Sequence, residues 1–316
     1  ASVVYLGVPP TPASMLPALK EVRPTFMLTV PLIMEKIYTR QVFARFTGNK
    51  ILKALYKIRF IRRILHRIAG KRLYHTFGGR IRFFGIGGSK INKATEKFLR
   101  DARFPYSIGY GLTETAPLIA GAVHPDTYLE STGRVMKGIE VRLADKDSKT
   151  GIGELQVKTP CVMEGYFKNP EADEDAFTPD GWFRTKDLAL VDNTGRIFIK
   201  GRMSNMIVGS SGENIYPEEI ESILNQHELV TESLVIQRNG KLVALVYLQD
   251  LKQELREQIS EVYTDIMNYA NSKVSKMSRI TGVHEQENGF EKTPTMKIKR
   301  YLYTELFNRT GRKSKA

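Results

Sequence analysis

The stretch "YSIGYGLTETAP", residues 106–117, sets an aromatic ring (Tyr110), a glycine (Gly111), a hydroxyl (Thr113) and a carboxylate (Glu114) within a few positions. Those residue types together could serve a nucleotide site. Taken alone they read equally well as a strand end with a capped helix, because Thr and Glu near a helix start are common caps. A second turn of small residues, Gly87, Gly88 and Ser89 in "GIGGSKI", is by itself a plain glycine turn. The choice between the two readings depends on the rest of the chain.

The chain has 316 residues, which suggests two or three domains with enough length to bury real cores. Cys161 is the only cysteine, so a disulfide framework within the chain is excluded and a reducing, cytoplasmic compartment is expected. The histidines (His66, His75, His124, His227 and His284) show no metal-ligand spacing. No apolar run approaches the ~20 residues that span a bilayer, and no signal peptide pattern is visible. The chain opens on "ASVVYLG", a buried-strand pattern without an initiating Met, and is expected to be preceded by further polypeptide.

The elements that must carry these residues follow from periodicity. "TFMLTVP" reads as a buried strand and "LIMEKIYTRQVFARF" as a helix. Residues 49–74 place Ile51, Leu55, Ile58, Ile61, Leu65 and Ile68 at helical spacing, as one helix or as two joined by a bend. "RIRFFGIGGSKI" and "YSIGYGLTE" are strands ending in glycine turns, with the short helix "NKATEKFLRDA" between them. From about residue 130, short strands ("IEVRLA", "GELQVKT", "LALVD", "GRIFIKG") predict a small antiparallel β-barrel. After Arg202 comes "YPEEIESILNQH", a helix opened by Pro217. A hairpin around Asn239-Gly240 and the long amphipathic helix "LREQISEVYTDIMNYANSKV" complete a small α+β piece. The expected fold is therefore α/β and α+β multidomain. An αβ region is expected over 1–125 and a barrel over 126–203. Residues 204–316 are expected as a separate small α+β domain.

Further stretches occur in order with "YGLTE": "GIGGSKI" (85–91), "DGWFRTKDLA" (180–189), "GRMSNMIVGSSGENIYPEEIE" (201–221) and "TPTMKIKR" (293–300). Together they resemble the adenylate-forming superfamily, and within it the acyl-CoA synthetases. The basic helical insert is similar to the long-chain fatty acid branch. The resemblance covers nearly the whole chain, and it implies that residues 1–203 are the latter part of the large adenylate-forming domain and residues 204–316 a mobile C-terminal lid. It implies a first half-reaction joining a carboxylate to ATP as acyl-AMP, with Mg2+ on the phosphates, and a second in which the thiolate of coenzyme A takes the acyl group. It also implies roles for particular residues. Tyr110 lies on adenine, Gly111 and the turn Gly87, Gly88, Ser89 border the nucleotide, Thr113 meets the α-phosphate, and Glu114 holds Mg2+. Asp187 accepts the ribose hydroxyls and Arg202 contacts the ribose near the hinge. Lys297 bridges the substrate carboxylate and the α-phosphate from a mobile loop. Gly212, with Glu213 and Asn214, lines the pantetheine channel. Ser204 falls where the family hinges, usually on Asp or Lys, and Met296 stands where glycine is more frequent.

The family's phosphate-gripping loop has no counterpart between Ala1 and Arg100. The resemblance implies that it lies upstream, and the chain alone is expected to be inactive. Two rivals stay open: an adenylate-forming ligase for another acceptor, such as an acyl carrier protein, or a non-catalytic homologue serving as a membrane- or protein-binding module.

Net charge is +14, and it is local. Residues 36–93 contain 16 Lys and Arg and no Asp or Glu. Three readings remain for this segment. It could rest on an anionic membrane surface, giving a peripheral protein; it could meet acidic partners such as CoA phosphates or a carrier protein; or it could be a packed helix pair with a solvated basic face. Nucleic acid is not expected, since the segment has few aromatics and no RNA- or DNA-binding motif.

Overall fold

Three parallel strands near the start of the chain set the frame. In the computed structural model, which describes residues 2–5, 7, 11–209, 211–248, 251, 253–293 and 297–304, β1 (Phe26–Thr29) pairs with β2 (Phe83–Ile86), and β2 with β3 (Tyr106–Tyr110). The helices between them are α1 (Pro12–Val22), α2 (Pro31–Ile37), α3 (Ala44–Thr47), α4 (Lys50–Lys57), α5 (Arg59–Thr76) and α6 (Lys93–Asp101). Residues Tyr38–Phe43, between α2 and α3, form a π-helical segment. Apolar side chains of these helices pack on one face of the strands in a core that includes Leu19, Met34, Leu73, Phe77, Phe84, Phe98, Leu99, Phe104 and Tyr106. Of the two readings left open for 49–74, the structure takes the second, two helices joined by a bend. The break falls at Ile58, whose extended backbone (φ −76, ψ 117) ends α4 and begins α5.

The sheet then continues through β4 (Ala120–Ala122), β5 (Gly133–Val135), β6 (Glu140–Ala144), β7 (Gly153–Lys158), β8 (Phe183–Val191) and β9 (Arg196–Arg202), with α7 (Pro170–Ala176) between β7 and β8. Among the described residues its strand order is β1-β2-β3-β4-β5-β9-β8-β7-β6. This corrects the barrel expected over 126–203. β4 with β5 and β5 with β9 pair antiparallel as anticipated, but the strands do not close. β4 pairs antiparallel to β3, so the edge of the parallel strands is satisfied by continuing outward, and the sheet ends at β1 and β6. The expected opening strand also differs, since Val3, Val4 and Tyr5 are exposed and in no ladder, while Leu6 lies outside the described residues.

The C-terminal part holds β10 (Ile207–Val208), β11 (Asn214–Ile215), α8 (Pro217–Leu224), β12 (Glu232–Arg238), β13 (Lys241–Tyr247), α9 (Gln253–Glu257), α10 (Ile259–Asn271) and β14 (Gly282–Glu285). The hairpin turns at Asn239 and Gly240, both with positive φ, as the dipeptide predicts. Ile220, Leu224, Val262 and Ile266 from α8 and α10 cover one face of β12–β14; Phe290 and Tyr303 cover Leu234, Ile236 and Leu245 on the other. Burial on both faces explains why "KLVALVY" is an unbroken apolar run rather than an alternation.

The chain divides into two compact units. One comprises Ala1–Ala144, Leu155–Thr185 and Leu190–Ile199; the other comprises Asp145–Glu154, Lys186–Ala189 and Lys200–Ala316. Among the described residues no helix is long and apolar enough to cross a membrane.

A buried polar chain locks the basic insert. Tyr38 Oη lies 3.1 Å from Tyr56 Oη, Tyr56 Oη lies 2.7 Å from His66 Nε2, and His66 Nδ1 lies 3.0 Å from Asp101 Oδ2. It joins the π-helical segment, α4, α5 and α6. Burial pushes the His66 imidazole below its usual value, against the pull of Asp101. The unfolded chain therefore takes up this proton more readily, and His66 makes stability rise with pH up to about 6.5, the ordinary histidine value. Urea midpoints should fall as pH drops from about 7.5 to about 5.5, and fall less in His66→Gln, where this titration is gone. An equal fall in both proteins would remove His66 from the pH dependence.

Candidate active site

In the first unit the register of β2 and β3 brings the two suspected turns to one sheet edge. Ile86 is level with Ile108, so Gly87–Ser89 and Tyr110–Gly111 leave the carboxyl ends of adjacent parallel strands. A Cβ on Gly87 would lie only 3.5 Å from Gly109 O. Carboxyl ends of parallel strands are where open α/β sheets bind ligands. The first turn is held at both ends. Gly87 N donates to Thr29 O (3.2 Å), and Asn92 N donates to Glu35 Oε1 (2.7 Å) while Asn92 Oδ1 caps α6 at Ala94 N (2.7 Å). Burial raises the Glu35 carboxyl, opposed by that backbone hydrogen bond.

The second turn is a closed loop between β3 and β4. Ile119 N donates to Tyr110 O (2.8 Å), and the buried Thr115 hydroxyl donates to Leu112 O (3.0 Å) while accepting from Leu112 N (3.2 Å). A Cβ on Gly111 would sit 1.5 Å from Pro117 O, so the loop's own return demands this glycine, whatever approaches from outside. Tyr110 is half-buried and Thr113 is exposed. Glu114 is held from residues far along the chain: Tyr166 Oη donates to its Oε1 (3.0 Å), and Met163 N donates to its carbonyl (2.8 Å). Tyr166 N is in turn bound by Asp173 Oδ1 at 2.7 Å. Tyr166 carries no local sequence signal, because its partner is 52 positions away. Among the described residues no group of three or more His, Cys, Asp or Glu gathers to hold a metal. A single oriented carboxylate fits Mg2+ only where phosphates complete the shell, as Mg2+ commonly requires.

In the second unit, Asp187 and Arg202 meet directly, with Arg202 Nε 2.8 Å from Asp187 Oδ1. Asp187 is buried and Arg202 half-buried. Ser204 is exposed in a turn over Met203–Asn205, just after β9. That turn is braced to α8: Asn205 Nδ2 donates to Glu218 Oε1 (2.6 Å), and Lys200 Nζ to Glu219 Oε1 (3.0 Å). Gly212 and Glu213 lie in the loop of the β10–β11 hairpin, closed by Gly209 N donating to Glu213 O (2.8 Å), and Asn214 opens β11. Nothing lies within 4 Å of a Cβ placed on Gly212; its φ of +80 is what calls for glycine. Glu213 folds back on this loop, accepting from Ser211 N at 3.1 Å.

Lys297 sits at the base of a second hairpin. Lys292 bridges to Ile298, Thr293 N donates to Lys297 O (2.8 Å), and Lys297 N donates to Thr293 Oγ1 (3.2 Å). Residues 294–296, with Met296 among them, lie outside the described residues. The local basic cluster separates by partner. Lys292 is paired with Glu232, Lys299 with Glu291 (3.4 Å), and Arg300 with both oxygens of Glu221 (2.7 and 2.8 Å). Lys297 is exposed, and among the described residues its ammonium faces no carboxylate. The Arg300 fork also donates to Val235 O (2.8 Å), and Glu221 accepts from Val235 N (2.7 Å), so the base of the hairpin is fixed to α8 and β12. Arg300 and Glu221 have no role assigned by the sequence, because the pair joins positions 79 apart.

The chain matches the AMP-binding enzyme family over residues 1–167 and the AMP-binding enzyme C-terminal domain over residues 204–310. It belongs to the AMP-binding enzymes. Among curated relatives, long-chain-fatty-acid–CoA ligase FadD15 of Mycobacterium bovis is 29% identical over 97% of this chain and 57% of its own length. The chloroplastic long-chain-fatty-acid–[acyl-carrier-protein] ligase AEE15 of Arabidopsis thaliana is 25% identical over 89% of this chain and 48% of its own. The chain thus spans about half the length of these relatives. Of solved structures, o-succinylbenzoate CoA synthetase (MenE) from Bacillus subtilis, in complex with its acyl-adenylate intermediate, shares the fold. It superposes with a TM-score of 0.69 at 22% identity, over 92% of this chain and 53% of that one.

The geometry separates paired from unpaired charge. Arg300→Ala leaves the half-buried Glu221 with only its Val235 N donor and should cost about 2–3 kcal/mol of stability, below the full cost of breaking a buried pair. Lys297→Ala should change it by less than about 0.5 kcal/mol. Denaturant unfolding of both variants checks this; a large loss in Lys297→Ala would assign that lysine to the fold.

Proposed function

We propose that this chain carries the nucleotide and acyl-transfer machinery of an ATP-dependent long-chain fatty acid:CoA ligase. The observation that carries the reading is the meeting of Gly87–Ser89 and Tyr110–Gly111 at the carboxyl ends of β2 and β3, with Glu114 oriented beside them by Tyr166. In the first half-reaction a carboxylate oxygen of the fatty acid bonds to the α-phosphorus of ATP and pyrophosphate leaves. Negative charge approaches negative charge, so the chain's contribution is positioning and charge stabilisation. Tyr110 supplies a ring for adenine, Thr113 a hydroxyl for the α-phosphate, and Asp187 two acceptor oxygens for the ribose hydroxyls, steadied by Arg202. Lys297 brings an ammonium with no carboxylate of its own to the incoming acid. Glu114 is the residue that would hold Mg2+, and the chemistry the ion would supply there is screening of the phosphate charge.

In the second half-reaction the thiolate of coenzyme A attacks the acyl carbon and AMP leaves. The β10–β11 loop with Gly212, Glu213 and Asn214 is the proposed path for the thiol arm. The backbone around Ser204 is the proposed pivot between a lid of residues 204–316 and the larger domain of residues 1–203. A small exposed residue there can absorb large φ/ψ changes.

Two features support a long, apolar acid. The relatives named above act, by their names, on long-chain fatty acids. On β1, Phe26 and Leu28 are exposed on the face away from the helix core, and Val30 follows them at the end that leads to the site. An apolar surface continuous with the carboxyl ends of the strands suits an acyl chain.

The complete gene product, given ATP, Mg2+, coenzyme A and carboxylates from acetate to oleate, should form thioester with the long acids. Lys297→Ala should lower that rate by about 10²–10³. Thioester formed only with short acids would overturn the substrate class. Pyrophosphate release without a CoA thioester would move the acceptor to a carrier protein.

A further inference from the structure

Helices α4 and α5 carry a surface that catalysis does not use. On α5, Phe60, Ile64 and Ile68 stand at i, i+4 and i+8, with exposures of 72%, 42% and 62%. Ile58, at the junction, and Ile51, on α4, are also exposed, at 51% and 71%. Arg59, Arg63 and Arg67 run along one side of the α5 stripe and Arg72 along the other, all exposed. Arg63 leans to Asp101 at 3.6 Å. Among the described residues Lys53, Lys57, Arg59, Arg67, Lys71 and Arg72 pair with no carboxylate, and residues 36–93 contain no acid that could join them.

The outward apolar side chains cannot simply roll inward. The rotation of both helices is set on their inner sides by Tyr56 and His66, hydrogen-bonded to Tyr38 and Asp101. A partner must therefore come to this surface as it stands. It must accept many unpaired cations and a stripe of large aliphatic and aromatic groups together. A nucleic acid or a polyphosphate would satisfy the cations and leave Phe60, Ile51 and Ile68 in water. A second copy of the chain would bring like charge against like charge. An anionic bilayer meets both demands, with acidic headgroups for the Lys and Arg ends and the acyl boundary for the apolar stripe.

We propose that α4 and α5 form an interfacial seat on an anionic lipid surface, with Phe60, Ile64 and Ile68 entering the headgroup–acyl boundary. The seat stands on its own geometry and does not depend on the ligase reading.

The test is co-sedimentation of the complete gene product with phosphatidylcholine vesicles, with and without phosphatidylglycerol. Binding is expected to the anionic vesicles alone and should weaken sharply at ~0.5 M salt, where screening is short-ranged. Arg59→Gln, Arg67→Gln and Lys71→Gln together should lower the partition constant by about 100-fold, from the usual contribution of a basic residue near such a surface. Phe60→Ser, Ile64→Ser and Ile68→Ser together should also lower it at low salt. All six positions are solvent-facing, and circular dichroism should show unchanged helix content. Absence of binding to anionic vesicles at low salt would overturn the proposal. So would full binding by the triple serine variant, which would mark a purely electrostatic patch for another polyanion. Self-association abolished by that variant, without vesicle binding, would assign the surface to a second copy.

Discussion

Everything placed at the nucleotide end of this chain depends on the hydrogen-bond register of three parallel strands. Phe26 is level with Phe83, and Phe84 with Tyr106; from that alignment the two glycine turns emerge side by side. Parallel pairing needs a crossover for each strand, and the crossovers supply the helices that bury Phe84, Phe98, Phe104 and Tyr106. Carboxylates inside this layer are spent on holding backbone. Glu35 binds Asn92 N, and Glu96 binds Glu130 N while accepting from Tyr106 Oη. Burial raises both carboxyls, so each hydrogen bond works against a desolvation cost and fixes its segment tightly.

The C-terminal unit follows a different economy of charge. Among the described residues, the basic neighbours of Lys297 are neutralised: Lys292 by Glu232, Lys299 by Glu291, Arg300 by Glu221. The half-buried fork of Arg300 on Glu221 anchors the strand that leads to Lys297, while the Lys297 ammonium keeps no carboxylate partner among the described residues. A lysine at a fixed base with an uncommitted head is what an anionic substrate can recruit. The Asp187–Arg202 pair, by contrast, is already made, so a ribose would have to share the carboxylate with the guanidinium.

Local features were legible in the sequence because local physics decides them. Asn239-Gly240 turns the hairpin, Pro217 opens α8, and Asn92 caps α6, each within a few residues of its cause. The parallel strands were visible as apolar runs ending in glycine. The barrel was misread because short antiparallel strands look alike whether they close on themselves or extend a sheet, and only the free edge of β3 decides. The break at Ile58 left no trace in an apolar spacing that runs through it. The residues that orient the site were hidden for another reason: Tyr166 with Glu114, and Arg300 with Glu221, join positions far apart in the chain. For the candidate site, motif order supplied the residues and the structure supplied their supports. Gly111 shows the difference, since its necessity lies in Pro117 O rather than in a ligand.

Hydrogen exchange of the chain with a non-hydrolysable acyl-adenylate analogue is the most direct measurement of the central claim, that the ends of β2 and β3 form the nucleotide site. Binding should slow exchange in the segments 86–89 and 110–115 and leave α4 and α5 unchanged. An analogue that binds while both segments exchange as before would contradict it.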